Sequence, residues 1–107
     1  MGEEELAPIR RLLKRLSKHI RIRRAILFGS RARGDALKNS DYDLVLVSPD
    51  FAGVHFLDRI ALVLDFWDDD RDLQPLCYTP EEFEAKRRRI GIVRRAVEEG
   101  VELVGEG

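Results

Sequence analysis

Apolar residues recur along this chain with two different periods, and the change from one to the other predicts its elements. Leu6, Ile9, Leu13, Leu16 and Ile20, with Leu12 beside them, fall at three- and four-residue intervals. That spacing gives one apolar stripe on an amphipathic helix of roughly four turns. Its other face carries Arg10, Arg11, Lys14, Arg15 and Lys18. Ala25 to Phe28 is a short unbroken apolar run stopped by Gly29, as expected of a strand buried on both faces. Gly29-Ser30 turns the chain, and nothing breaks a helix between Ser30 and Gly34, so a short helix starts there. Residues 35–40 are polar and turn-prone, and Tyr42 to Val47 reads as a second strand closed by Ser48-Pro49-Asp50.

A second long helix is predicted from Val54 to Trp67, with Phe56, Leu57, Ile60, Leu64 and Trp67 on its apolar stripe. Asp68-Asp69-Asp70 then reads as a solvated loop. Asp72 to Tyr78 forms a third strand, in which Pro75 lacks a donor and so belongs at an edge or an irregular position. Thr79-Pro80-Glu81-Glu82 is a helix start: Thr as cap, Pro in the first turn, Glu near the positive end of the dipole. The helix continues through Phe83 and Ile90, with a break at Gly91, then through Val93 and Val97 to Gly100, and Val101 to Val104 adds a final strand. No internal repeat interrupts the order. The elements describe an α/β (α+β) fold, and 107 residues suffice for a single domain over 1–107 with one modest core.

Charge sharpens this picture. The net charge of −1 hides a segregation: residues 1–34 hold 10 Lys/Arg against 3 Asp/Glu, residues 35–84 hold 3 against 13, and residues 85–107 hold 6 against 4. The basic first helix reads as a solvated face or, less favoured, a phosphate footprint, and no aromatic residues interleave with its cations as a single-strand nucleic-acid surface requires. Nucleic acid is therefore disfavoured as a partner. No apolar run approaches the ~20 residues of a membrane span, and no charged leader precedes an apolar segment. Cys77 is the lone cysteine, which excludes an internal disulfide and a zinc-type ligand spacing. A cytoplasmic protein is expected. Charged residues at 36% and amides limited to Asn39 and Gln74 lean towards a thermophile composition.

The chemistry lies between Phe28 and Val47. In a strand that begins at Tyr42, Asp41 and Asp43 project to one face, and two carboxylates so close call for a cation between them. A strand that ends in Gly-Ser and opens a helix presents free N–H groups and a hydroxyl to an anion, with phosphate the natural guest. Neither common nucleotide loop fits. Gly34 is followed by Asp35-Ala36 rather than Lys and Ser or Thr, and only two of the three glycines of a dinucleotide fingerprint are present. An Asp pair holding Mg²⁺ beside a phosphate cradle does fit.

Gly29-Ser30, Arg33-Gly34 and Ser40-Asp41-Tyr42-Asp43-Leu44 together resemble the G-S-x-x-x-G…S-D-x-D-L signature of the DNA polymerase β-like nucleotidyltransferase superfamily. The length, and the run Leu76 to Phe83, resemble its minimal single-domain branch, the MNT proteins; the likeness covers residues of about 22–80. The resemblance implies a small mixed β-sheet with helices packed on one side, the palm-like fold of the superfamily. It implies transfer of a nucleoside monophosphate, AMP being the natural choice, from a nucleoside triphosphate to an acceptor hydroxyl. Gly29 and Ser30 would hold the β/γ phosphates, Arg33 or Arg31 would add charge near them, and Asp41 and Asp43 would bind two Mg²⁺ ions. A third carboxylate on the next strand would complete the metal site. Asp72 and Gln74 share a face there and either can fill that position; Asp72 is taken as the third ligand, and Gln74 would leave an amide where a charged oxygen belongs. The branch also implies a small helical HEPN protein as partner in a toxin–antitoxin pair, with homo-oligomers a further option. The alternative is a module of the same fold that binds nucleotide or partner with weak catalysis or none. His19 and His55 are read as structural.

Overall fold

The computed structural model describes residues 3–33 and 41–105, without the side chains of Glu3, Glu4, Ser30 and Arg33. Its elements are α1 (Glu3–Leu16), β1 (Arg24–Phe28), α2 (Ser30–Arg33), β2 (Tyr42–Val47), a 3₁₀ turn (Pro49–Phe51), α3 (Phe56–Leu64), β3 (Leu73–Tyr78), α4 (Pro80–Arg87), α5 (Ile92–Glu99) and β4 (Val101–Val104). The strands form one sheet in the order β3-β2-β1-β4. β1 runs antiparallel to β2 and β4, while β2 and β3 are parallel, joined by the crossover through α3. The sheet is therefore mixed, as expected.

The pleat divides the apolar strand residues between two cores. Ala25, Leu27, Tyr42, Leu44 and Leu46 face α1 and Val63 of α3. Ile26, Phe28, Val45, Val47 and Tyr78 face Phe83 of α4 and Val93 and Ala96 of α5. Helices thus cover both faces, not one. The unbroken apolar runs of β1 and β2 carry the reason: a strand that is apolar at every position needs a cover on each side. Pro75 lies in β3, an edge strand, where a missing donor is tolerated.

Two further expectations change. The stripe predicted for the helix after Val54 is not the buried one, because α3 is shorter and turns Arg59 and Val63 inward while Leu57 and Leu64 stay exposed. Arg59 is acceptable there since its donors are satisfied: Nε donates to the Val54 carbonyl at 2.8 Å, and Nη1 to the Cys77 carbonyl at 3.2 Å and to Glu82 Oε1 at 2.6 Å. The run Asp68-Asp69-Asp70 is not simply solvated either. Asp68 is paired with Arg11 and Arg15 of α1, and Asp69 with Arg71, so part of the basic face of α1 fastens this loop. At α4 the Thr79–Glu82 capping box forms as its residues predict, with Pro80 in the first turn. The two histidines make local structural contacts: the His19 ring lies tilted against Phe66 with ring centroids 4.8 Å apart, and His55 Nδ1 accepts from the Leu57 N–H at the start of α3. No helix among the described residues is long and apolar enough to cross a membrane.

Candidate active site

Tyr42 fixes the segment that carries the two aspartates. Its parity in β2 sends it into the core, fully buried, while its neighbours Asp41 and Asp43 turn to the opposite face. The Tyr42 hydroxyl donates to the Glu5 carbonyl of α1 at 2.9 Å. The Arg31 and Arg71 guanidinium groups lie 4.5 and 5.3 Å from the ring centroid, and the Trp67 ring meets it edge-on at 5.5 Å. Trp67 Nε1 in turn donates to the Arg71 carbonyl. Arg31, weighed from sequence as a phosphate contact, is thus buried with its guanidinium against this ring. The anchoring role of Tyr42 was missed from sequence; its signal is an aromatic at the inward position between two outward acids.

The turn after β1 meets the second aspartate directly. Phe28 is paired with Asp43 across the antiparallel ladder, so the chain leaves β1 beside that carboxylate. Gly29 takes φ +76°, and a Cβ on it would lie 2.6 Å from Asp43 Oδ2. Glycine is required there twice over, for the backbone angle and for the approach. Ser30 and Arg33 belong to α2, but their side chains, like Gly34 and Ser40 of the motif, lie outside the described residues.

The parallel ladder decides what faces the pair from β3. Tyr42 is in register with Leu73 and Asp43 with Gln74. Gln74 Nε2 donates to Asp41 Oδ2 at 2.9 Å. Asp72 is exposed, and it is its backbone carbonyl that contributes here, accepting from the Tyr42 N–H at 2.8 Å. Among the described residues no three of His, Cys, Asp or Glu come together as a metal-binding group. The structure therefore brings Gly29, Asp41, Asp43 and Gln74 together, while the contact it shows for Asp72 is that of its backbone carbonyl with Tyr42.

Electrostatics distinguish the two aspartates. Partial burial, and then the negative charge of Asp41, push the Asp43 carboxyl above its ordinary value. No described residue donates a hydrogen bond to it, whereas Asp41 has the Gln74 amide. Two carboxylates are hard oxygen donors, and a divalent cation such as Mg²⁺ beside them would offset the charge that burial and Asp41 make costly on Asp43. Gln74 presents its amide nitrogen to Asp41, while the carboxylate oxygens of Asp41 and Asp43 make a pair of the type that suits a hard cation. Beside it, a cavity of about 170 Å³ lined by Phe28, Gly29, Ile92, Arg95 and Glu99 opens between the Gly29 turn and α5. No motif in the sequence announces that cavity, since its walls come from residues more than sixty positions apart.

Against known families, the model of the nucleotidyltransferase domain matches residues 9–100. The chain belongs to that family. Its fold is also that of two solved structures. A candidate nucleotidyltransferase from Sulfolobus solfataricus is 23% identical, with a TM-score of 0.60 over 95% of this chain and 87% of that one. A toxin–antitoxin structure with AMP-PNP is 21% identical, with a TM-score of 0.54 over 99% of this chain and 75% of that one. Comparison with curated proteins finds no match.

Proposed function

We propose that this member of the nucleotidyltransferase family is a Mg²⁺-dependent enzyme that moves a nucleoside monophosphate, AMP, from a nucleoside triphosphate to an acceptor hydroxyl on a partner protein. The observation that carries the reading is the pair of same-face carboxylates at the head of β2, pressed against the Gly29 turn, with Asp43 lacking a described hydrogen-bond donor. Asp41 and Asp43 hold the cation; bound there, it supplies positive charge for the triphosphate and for the leaving pyrophosphate. Gly29 keeps the β1 exit close enough for the phosphates to lie beside that charge. Tyr42 keeps both carboxylates aimed outward.

A HEPN-type helical protein is the favoured partner, in an antitoxin-to-toxin relation. This rests on the resemblance to the minimal branch and on the fold shared with a toxin–antitoxin structure solved with AMP-PNP. The test is incubation with Mg²⁺, α-labelled ATP and such a HEPN protein, repeated with Asp43→Asn. Label on the partner with the native chain, abolished by the substitution, supports transfer. A stable complex with no label in either case overturns it.

One observation favours a second reading, a nucleotide- or partner-binding module with little transfer. The Gln74 amide occupies an Asp41 oxygen from the strand on which the family resemblance places a third carboxylate. An amide brings an oxygen but no charge, so a second cation would be held weakly.

A further inference from the structure

Two exposed apolar patches on this chain are framed by opposite charges. On α3, Leu57 and Leu64 are 66% and 40% exposed, and Asp58, Ala61 and Asp65 share the outward side with them. The one cation of the helix, Arg59, is turned inward to Glu82. At the junction of α4 and α5, Ile90 and Ile92 are 93% and 54% exposed along a groove of about 720 Å³. Exposed Lys86, Arg88 and Arg89 lead into it. Arg87, Arg94 and Arg95 are matched by Glu84, Glu98 and Glu99. Among the described residues no carboxylate pairs with Lys86, Arg88 or Arg89, and no cation pairs with Asp58 or Asp65.

The two patches do not meet within one copy. α3 packs beside the edge strand β3 and buries Val63 in the core shared with α1, whereas α5 packs on β1 and buries Val93 and Ala96 in the core on the other face. Large exposed aliphatic side chains ringed by charge mark contact surfaces, and complementary charge around them selects the mate. The matching surface is present on the same polypeptide. We propose that the apolar-acidic face of α3 docks on the apolar-basic α4–α5 junction of a second copy, so that the chain associates head to tail. Leu57 and Leu64 then cover Ile90 and Ile92, and Asp58 and Asp65 face Arg88 and Arg89. Because the two surfaces differ, the contact is heterologous, so each copy leaves one surface open until a ring closes or a filament grows. The inference does not rest on nucleotidyl transfer, although Ile92 also lines the cavity beside the Gly29 turn.

Light scattering after size exclusion tests it, with Asp58→Lys/Asp65→Lys and Arg88→Glu/Arg89→Glu as separate double variants and circular dichroism to confirm folding. All four sites are exposed, and Leu57→Ser and Ile90→Ser provide neutral replacements should either reversal perturb the fold. The native chain is expected to form dimers or larger species at low salt that dissociate as ionic strength rises. Each reversed variant alone should be monomeric, and the serine variants should associate at least tenfold more weakly than the native chain. An equimolar mixture of the two reversed variants should recover association, because the intact α3 face of one meets the intact junction of the other. A native chain that remains monomeric at its highest soluble concentration, reversed variants that associate like it, or a mixture that stays monomeric would each overturn the proposal. In the first case the patches belong to an unlike partner.

Discussion

Gly29 and Asp43 touch so closely that a single added carbon would part them: a Cβ on Gly29 would lie 2.6 Å from Asp43 Oδ2. The turn glycine is therefore a spacer that sets where the carboxylate can stand. Gly53 offers an internal control, since it has a similar positive φ of +78° with nothing within 4 Å of the added carbon. Gly29→Ala and Gly53→Ala should each lose about 1–2 kcal/mol of stability from the left-handed backbone, read by chemical denaturation. Only Gly29→Ala should also weaken Mg²⁺–ATP binding, by tenfold or more in titration calorimetry. Equal binding by the two variants would separate Gly29 from the site.

Gln74 tests how much charge the site needs. Its amide donates to Asp41 at 2.9 Å, so a glutamate at 74 would place a third negative group against the pair. Gln74→Glu should lower the melting temperature in chelator, because like charges crowd without a cation. It should bind Mg²⁺ at least tenfold more tightly and speed label transfer. Asp72→Asn, a substitution on an exposed side chain, should change neither by more than about twofold. The opposite ranking of the two variants would return the third ligand to Asp72.

The sequence carried the elements further than their neighbours. The β2 boundaries, the central burial of β1, the edge position of β3 and the Thr79 cap all follow from local rules, alternation, breakers and capping chemistry, and the structure has each of them. The α3 stripe did not follow, because periodicity alone treats Arg59 as solvent-facing. Its burial depends on Glu82 and the Cys77 carbonyl, groups that only the fold brings near. The same limit applies at the site. Asp41 and Asp43 share a face by parity alone, but whether residue 72 or 74 meets them depends on the register of a parallel pair joined by a long crossover. A parallel ladder leaves no hairpin from which to count that register.

Asp43 links stability to pH and to the cation. Its folded carboxyl titrates above the unfolded value of about 3.9, through burial first and Asp41 second. The folded chain therefore holds that proton more tightly, and the associated stability is present below the unfolded value and lost as pH rises through the folded one. At neutral pH the ionised group is a destabilising element. Asp43→Asn should raise the melting temperature at pH 7 in chelator, with the gain vanishing at pH 3, while Mg²⁺–ATP should no longer stabilise the variant. Fluorescence of Trp67, the one tryptophan, can follow each transition. A variant less stable than the native chain at pH 7 would contradict the burial account.

Arg59 joins α3 to the start of α4, and the consequences of removing it are set by what remains. In Arg59→Met the Val54 and Cys77 carbonyls lose their donor, and Glu82 loses its ion pair but keeps the Thr79 N–H at 2.8 Å. Stability should fall by about 2–4 kcal/mol, mostly from the buried acceptors. Glu82→Gln should cost about 1 kcal/mol, since Gln still accepts from the Thr79 N–H and the Glu82 side chain is partly in water. The Arg59 hydrogen bond is also the main reason the Glu82 carboxyl lies below its ordinary value. That contribution is present above the unfolded value of about 4.3 and is lost as pH falls through the depressed one. Denaturant midpoints measured from pH 7 down to pH 3 should accordingly fall less steeply in Arg59→Met than in the native chain. Parallel curves would mean that the pair contributes packing alone.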